Sequence, residues 1–297
     1  ATAGDEHGEL ATTVPDIAQG PLLAYFADPA RPCSPALSTQ ELAAQALLQA
    51  FYAERNYQPA WDSPERRALL RESLLALAED GLVFDNAWAS PVCSPTRGTI
   101  VSCSYGHRTG VTTVGNVLPT STVTLFDRLT ADSPSYEHAL FGKYHIGGGS
   151  SSSIDPLPGS PYPQAPNVLQ HVRDIGITTF RGILAGGISD YFNWTTWDIN
   201  GPEETTTTFA TTALTDYAID FIHEHEAEKP DEPWFIYQSY NAPHAVIGGG
   251  SPFQVPPREL HSVDIPGDPE PGTIATSIPI YKALIQSLDT EIGRLLA

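Results

Sequence analysis

His138-Ala139-Leu140-Phe141-Gly142-Lys143 reads as a buried strand, a short apolar run that closes on a glycine and a cation. Ile177 to Leu184 is a second strand candidate, and Pro233 to Tyr240 a third, strongly apolar one. Helical periodicity lies between and around them. Residues 119–131 place Leu125, Phe126 and Leu129 on one face, and Thr211 to His223 turns Leu214, Ala218, Phe221 and Ile222 inward. Tyr281 to Leu296 is a final helix. Strands alternating with helices predict an α/β fold with a mostly parallel central sheet flanked by helices.

The segments outside these elements divide the chain. Residues 1–38 carry Pro, Gly and Asp with little periodicity and read as a loop-rich leader. Residues 39–81 form a helical segment. Its first helix, over 39–55, follows Ser38, and its second runs from about Pro64 to Glu79, with Gly81 as the stop. Residues 82–297 form the α/β domain. Gly-, Ser- and Pro-rich stretches at 147–166 and 248–272 read as long loops. Trp194 and Trp197 are expected in the core, Thr205 to Thr208 as a solvated run, and His223 and His225 facing solvent.

Bulk properties narrow the function. The chain has 297 residues, 41% of them apolar, which is enough for a real core. A net charge of −20 argues against nucleic acid or an anionic membrane as the partner. Any oxyanion site must therefore be a local basic pocket. No apolar run reaches the length of a membrane span. The first residue is Ala, and no basic-then-apolar leader follows, which fits an export precursor after processing.

Pro91-Val92-Cys93-Ser94-Pro95-Thr96-Arg97-Gly98 holds the densest chemistry. Leu82 to Trp88 leads into it as a short extended run. A helix starting near Gly98 would turn its N-terminal N–H groups toward an anion beside Cys93. Arg97, four residues on, can set a guanidinium beside developing negative charge. Lys143 and His145 stand two apart at a strand end, where period-2 geometry puts both on one face as an oxyanion clamp. His244 follows the apolar strand in a tight Asn241-Ala242-Pro243-His244 turn.

The order of these motifs resembles the type I sulfatases of the alkaline phosphatase superfamily, over about residues 73–297. Leu82 to Trp88 is similar to that family's approach to its nucleophile loop, and Cys93 to Arg97 to the loop itself. Tyr105-Gly106-His107-Arg108-Thr109-Gly110-Val111 resembles the segment beyond, Phe141-Gly142-Lys143-Tyr144-His145-Ile146-Gly147 its Gly-Lys-Trp-His-Leu-Gly motif, and Tyr240 to His244 its later histidine motif. The resemblance implies a sulfatase fold, incomplete here at both ends, and hydrolysis of a small-molecule or carbohydrate sulfate ester. It implies that a maturation enzyme converts Cys93 to formylglycine. The catalytic set it implies is Cys93, Arg97, Lys143, His145 and His244, with Lys143, His145 and His244 binding substrate.

It also implies Ca²⁺, with formylglycine 93 as one ligand. The family's other ligands are an Asp-Asp pair after the first strand and an Asp-Asn pair after the final helix, and neither pair is visible in this chain. Asp5-Glu6 follows no apolar strand, and the chain ends at Ala297, where the second pair is expected. Ser102-Cys103-Ser104 stands where the family commonly has Thr-Gly-Arg. A metal-free relative with a binding or structural role is therefore a second expectation, and a phosphonate or phosphate ester hydrolase on the same scaffold a third. Of the three cysteines, conversion of Cys93 would leave Cys33 and Cys103 to pair. About residues 39–81, with Phe51 to Trp61, resemble the non-catalytic N-terminal domain of L,D-transpeptidases, whose nucleophile motif is absent. Both resemblances imply an exported bacterial protein, periplasmic or secreted.

Overall fold

A computed structural model describes residues 72–80, 87–132, 135–148, 165–247 and 252–297. The chain divides into two units, Ala1–Asp62 with Asp85–Ala87, and Ser63–Phe84 with Trp88–Ala297. Every described helix and strand belongs to the second unit. The leader over 1–38, the helix over 39–55, Cys33, most of Leu82 to Trp88 and most of the 147–166 loop lie outside the described residues.

In chain order the elements are α1 (Glu72–Asp80), α2 (Cys93–Ser102), α3 (Gly106–Thr109), α4 (Leu125–Asp132), β1 (Glu137–Lys143), α5 (Ala165–Asp174), β2 (Thr179–Ile183), β3 (Trp194–Asp198) and β4 (Gly201–Thr206). After these come α6 (Ala210–Glu228), β5 (Trp234–Ser239), β6 (Phe253–Gln254), a 3₁₀ turn (Arg258–Leu260), β7 (Ile274–Ala275) and α7 (Ile278–Leu296). Five strands form one sheet in the order β4-β3-β2-β1-β5. β1 runs parallel to both β2 and β5, whereas β2–β3 and β3–β4 are antiparallel. The sheet is thus mixed, a correction to the mostly parallel expectation.

The antiparallel half comes from a hairpin whose second strand carries the threonines expected to be solvated. Asp198 pairs with Gly201 across Ile199-Asn200, and Gly201 sits at φ +146°, a conformation that side chains resist. β-Branched threonines then fit a pleated edge, with Thr195 opposite Thr205. Trp194 and Trp197 are buried, as expected.

The sheet lies between two helical layers. Leu140, Tyr144 and Phe180 pack with Val168 and Val172 of α5 on one side. Ala139 and Phe141 pack with Ala218 and Phe221 of α6 on the other. Cover on both faces explains why β1 is apolar and buried almost throughout. Each such large side chain removed from water contributes about 1.5–3 kcal/mol. α1 docks on α7, where Leu74 N–H donates to Asp289 Oδ1 at 2.7 Å.

Helix boundaries depart from periodicity where a cap decides. α4 starts at Leu125, not 119, because Thr124 and Asp127 close a reciprocal capping pair. Thr124 N–H donates to Asp127 Oδ2 at 2.8 Å, and Asp127 N–H to Thr124 Oγ1 at 3.1 Å. α2 starts at Cys93, not Gly98. Extended Val92 (φ −132°, ψ 160°) launches it, and Pro95 falls in the first turn, where its missing N–H has no partner to lose. The loop expected over 248–272 holds β6 and the 3₁₀ turn.

Candidate active site

Cys93 is therefore the first residue of a ten-residue helix and not part of a loop ahead of one. No side chain caps that N-terminus, and no acidic residue stands in its first turn. Its free N–H groups and the positive end of its dipole favour an anion there. Arg97, one turn on, shares the face of Cys93. Both line a cleft of about 390 Å³ between the start of α2 and the end of β5, with Ser90, Thr96, Gln238 and Tyr240. No carboxylate lies among its lining residues.

The parallel strands β1 and β5 end behind this cleft. Gly142 of β1 sits at φ +108°, and a side chain there would fall on the carbonyl oxygen of Ser239 across the ladder. Gly182, opposite on β2, likewise has no room beside Gly142. Glycine at 142 thus lets three strands close up just before Lys143. The ladder continues past the strand end, with Tyr144 N–H donating to Ile183 O at 2.8 Å and His145 N–H to Leu184 O at 3.2 Å. His145 then takes the left-handed conformation, φ +50°. The approach of Lys143 and His145 is set by that turn and not by strand alternation, which corrects the period-2 reading.

Both side chains are buried rather than solvated. The Lys143 ammonium donates to the carbonyl of Gly186, in the segment that follows β2. His145 Nδ1 lies 3.1 Å from Cys93 Sγ, and its buried Nε2 makes no hydrogen bond among the described residues. Gly186 leaves room for this ring, since an added Cβ would come within 2.8 Å of His145 Cε1. Burial, then the charges of Lys143, Arg97 and His244, push His145 down to about 3, so its ring is neutral at ordinary pH.

Arg97 Nη1 donates to Lys143 O at 2.7 Å and to Ser239 Oγ, and Ser239 Oγ–H donates to Lys143 O at 2.9 Å. Burial lowers Arg97, yet a guanidinium keeps its charge. Cys93, Arg97, Lys143 and His145 are thus brought together through direct bonds and shared backbone. His244 joins by proximity. Its Nδ1 is 3.4 Å from where a Cβ on Gly187 would stand, one residue from the glycine that accommodates His145. Burial of its ring, followed by the Lys143 charge, holds His244 below 6.5, although the residue as a whole is solvent-exposed. Its backbone is held by Tyr191, whose hydroxyl donates to His244 O at 2.8 Å and accepts from Asn241 Nδ2 at 3.1 Å.

Ser239, Gly186, Gly187, Tyr191 and Asn241 belong to the site but do not announce themselves in the sequence. A Gly-Gly pair just past a parallel strand is the signal that could have found two of them. Cys93 carries a free thiol and Cys103 is disulfide-bonded; Cys33, its expected partner, lies outside the described residues.

Arg97 and an open helix N-terminus in a cleft without carboxylates, with Lys143 and neutral imidazoles close behind, can bind a tetrahedral oxyanion beside the group at position 93. A metal is a different matter. Among the described residues no group of three or more His, Cys, Asp or Glu is placed to hold one. A hard dication wants six or more oxygens. The described residues do not fit Ca²⁺, so the chemistry of the site is derived from its own side chains.

Comparison with known proteins accords with this geometry. The sulfatase family model matches residues 65–297. No curated protein matches the chain. Among solved structures, a Bacteroides thetaiotaomicron protein from a locus for metabolism of multiple glycosaminoglycans superposes with a TM-score of 0.57 at 18% identity, over 80% of this chain and 53% of its own. Bacteroides fragilis yidJ, described as a putative sulfatase, superposes at 0.54 and 21% identity, over 76% of this chain and 52% of its own. This chain spans about half the length of both.

Proposed function

The chain belongs to the sulfatase family, and on that premise we propose that it hydrolyses sulfate esters through a formylglycine derived from Cys93. The observation that carries the proposal is His145 against position 93 at an uncapped helix N-terminus, with Arg97 one turn on and bonded to the backbone of Lys143. A maturation enzyme would supply the oxidation. The hydrated aldehyde then offers two hydroxyls on one carbon. One gives up its proton and attacks sulfur, the S–O bond to the alcohol breaks as the alkoxide takes up a proton, and a sulfated residue 93 remains. The other loses its proton, the carbon–oxygen bond to sulfate breaks, and the aldehyde returns as sulfate leaves.

Arg97 and Lys143 neutralise the sulfate oxygens as charge builds on them. His145 stands next to residue 93 with a neutral ring and can take the proton of the second hydroxyl as that oxygen becomes the aldehyde carbonyl. His244, at the exposed side and neutral at rest, takes up the proton of the attacking hydroxyl and passes it to the leaving alkoxide. Calcium is the family's expected cofactor, and it has no step here. The glycosaminoglycan setting of one solved relative makes carbohydrate sulfates the first substrates to test. The site of action we propose is periplasmic or extracellular.

Sulfate release from a panel of sulfated saccharides, beside matched phosphate and phosphonate esters, tests the proposal. Sulfate release that disappears in Cys93→Ala is expected. Release of phosphate alone, or turnover that survives Cys93→Ala, would overturn it.

A further inference from the structure

Arg97 reaches the cleft with its guanidinium held against the ends of two strands, and two groups do the holding. One terminal nitrogen, Nη1, bonds both Lys143 O and Ser239 Oγ, while the buried Nε makes no hydrogen bond among the described residues. Ser239 is the last residue of β5, paired with Gly142 of β1, and is buried. Its hydroxyl accepts from the guanidinium and donates to the carbonyl that the guanidinium also uses, at 2.9 Å. The three groups close a ring of hydrogen bonds. Nη1 is tied down by this ring, and Tyr237 and then Cys93 are close enough to act on Arg97 electrostatically.

Lys143 O alone would leave the guanidinium free to pivot about a single acceptor. A second acceptor fixes its plane, and planar fixation is what distinguishes arginine from a point charge in oxyanion recognition. The lack of a Cβ at Gly142 is what brings the Ser239 backbone close enough to β1 to supply it.

We infer that Ser239, which lines the same cleft, is a positioning residue for the oxyanion site and acts by setting the orientation of Arg97 beside residue 93. Its effect on turnover rests on the sulfate-ester reading; its effect on Arg97 does not.

The test uses the full chain carrying the Cys93 thiol. Cys103 is disulfide-bonded, so Cys93 is the free thiol to follow. The rate of alkylation of Cys93 by anionic iodoacetate, divided by the rate with neutral iodoacetamide, reads the positive field of Arg97 at that atom. Ser239→Ala is expected to lower this ratio about threefold, toward the value in Arg97→Gln. Ser239→Thr and Ser239→Val have the same shape, and only Thr keeps the hydroxyl. Thr is expected to hold the wild-type ratio and Val to lose it, so the comparison stands even if the alanine variant folds poorly. In converted protein that turns over a sulfate ester, Ser239→Val is expected to lose about tenfold in kcat/KM and Ser239→Thr to retain it. Equal ratios in Thr and Val variants would overturn the role of Ser239. A wild-type protein without turnover, but with the expected alkylation pattern, would overturn the sulfatase reading and leave Ser239 in place.

Discussion

Around Cys93 the decisive residue is His145. A buried histidine beside Lys143 and Arg97 cannot accept a proton without adding a third charge to their neighbourhood. Its depressed value of about 3 follows from burial first and from Lys143, Arg97 and His244 after it. The unfolded chain takes up this proton near the ordinary 6.5, and the folded protein does not until about 3. Between those values the unfolded state binds more protons, so stability falls as the pH falls through the window and is unaffected by His145 above it. The thermal midpoint is expected to drop on acidification from 6.5 toward 3, and less steeply in His145→Gln. An unchanged slope in the variant would place the acid sensitivity elsewhere. Cys93, Arg97, Lys143 and His145 are legible in the sequence as candidates because they stand in motifs whose order resembles one family. Ser239 and Gly186 are not. They act through a hydroxyl and a carbonyl found on common residues, and only the strand register shows what those groups meet.

Elements are legible in proportion to how much of their pattern is local. α6 and α7 show long apolar stripes, and β1 and β5 dense apolar runs, so all four emerge from periodicity. β3 and β4 do not, because their threonines read as polar while the force that makes them strands is pairing across the Ile199-Asn200 turn. Sheet direction is also illegible, since a strand's neighbours depend on its connections more than on its composition.

The end of α6 departs from expectation as well. His225 is buried, not solvated, with Nδ1 2.9 Å from Glu137 Oε2 and Nε2 2.8 Å from Glu232 O. Acceptors on both nitrogens demand a cationic ring, and Glu232 O with Glu137 raises His225 above 6.5. It thereby ties the helix C-terminus to the start of β1 and to the turn before β5. That stabilisation is fully present below 6.5 and is lost as pH rises through the raised folded value. His225→Gln is expected to remove this alkaline part of the pH dependence of unfolding. An identical slope in wild type and variant would show that His225 carries no charge in the fold.

The whole molecule sets a small cationic site in a chain of net charge −20. Long-range attraction of the proposed anionic substrate is therefore weak, and its recognition would fall to short-range contacts with Arg97 and its neighbours. The family match over residues 65–297 and two superpositions show a sulfatase-like α/β fold. The proposed reaction depends on what residue 93 becomes. The direct measurement is the mass of the peptide that contains Cys93, from protein made in its native host. The expected result is a peptide lighter by the exchange of H₂S for O, reactive toward hydrazide reagents as an aldehyde. An intact thiol at Cys93 in every molecule would contradict the formylglycine mechanism outright.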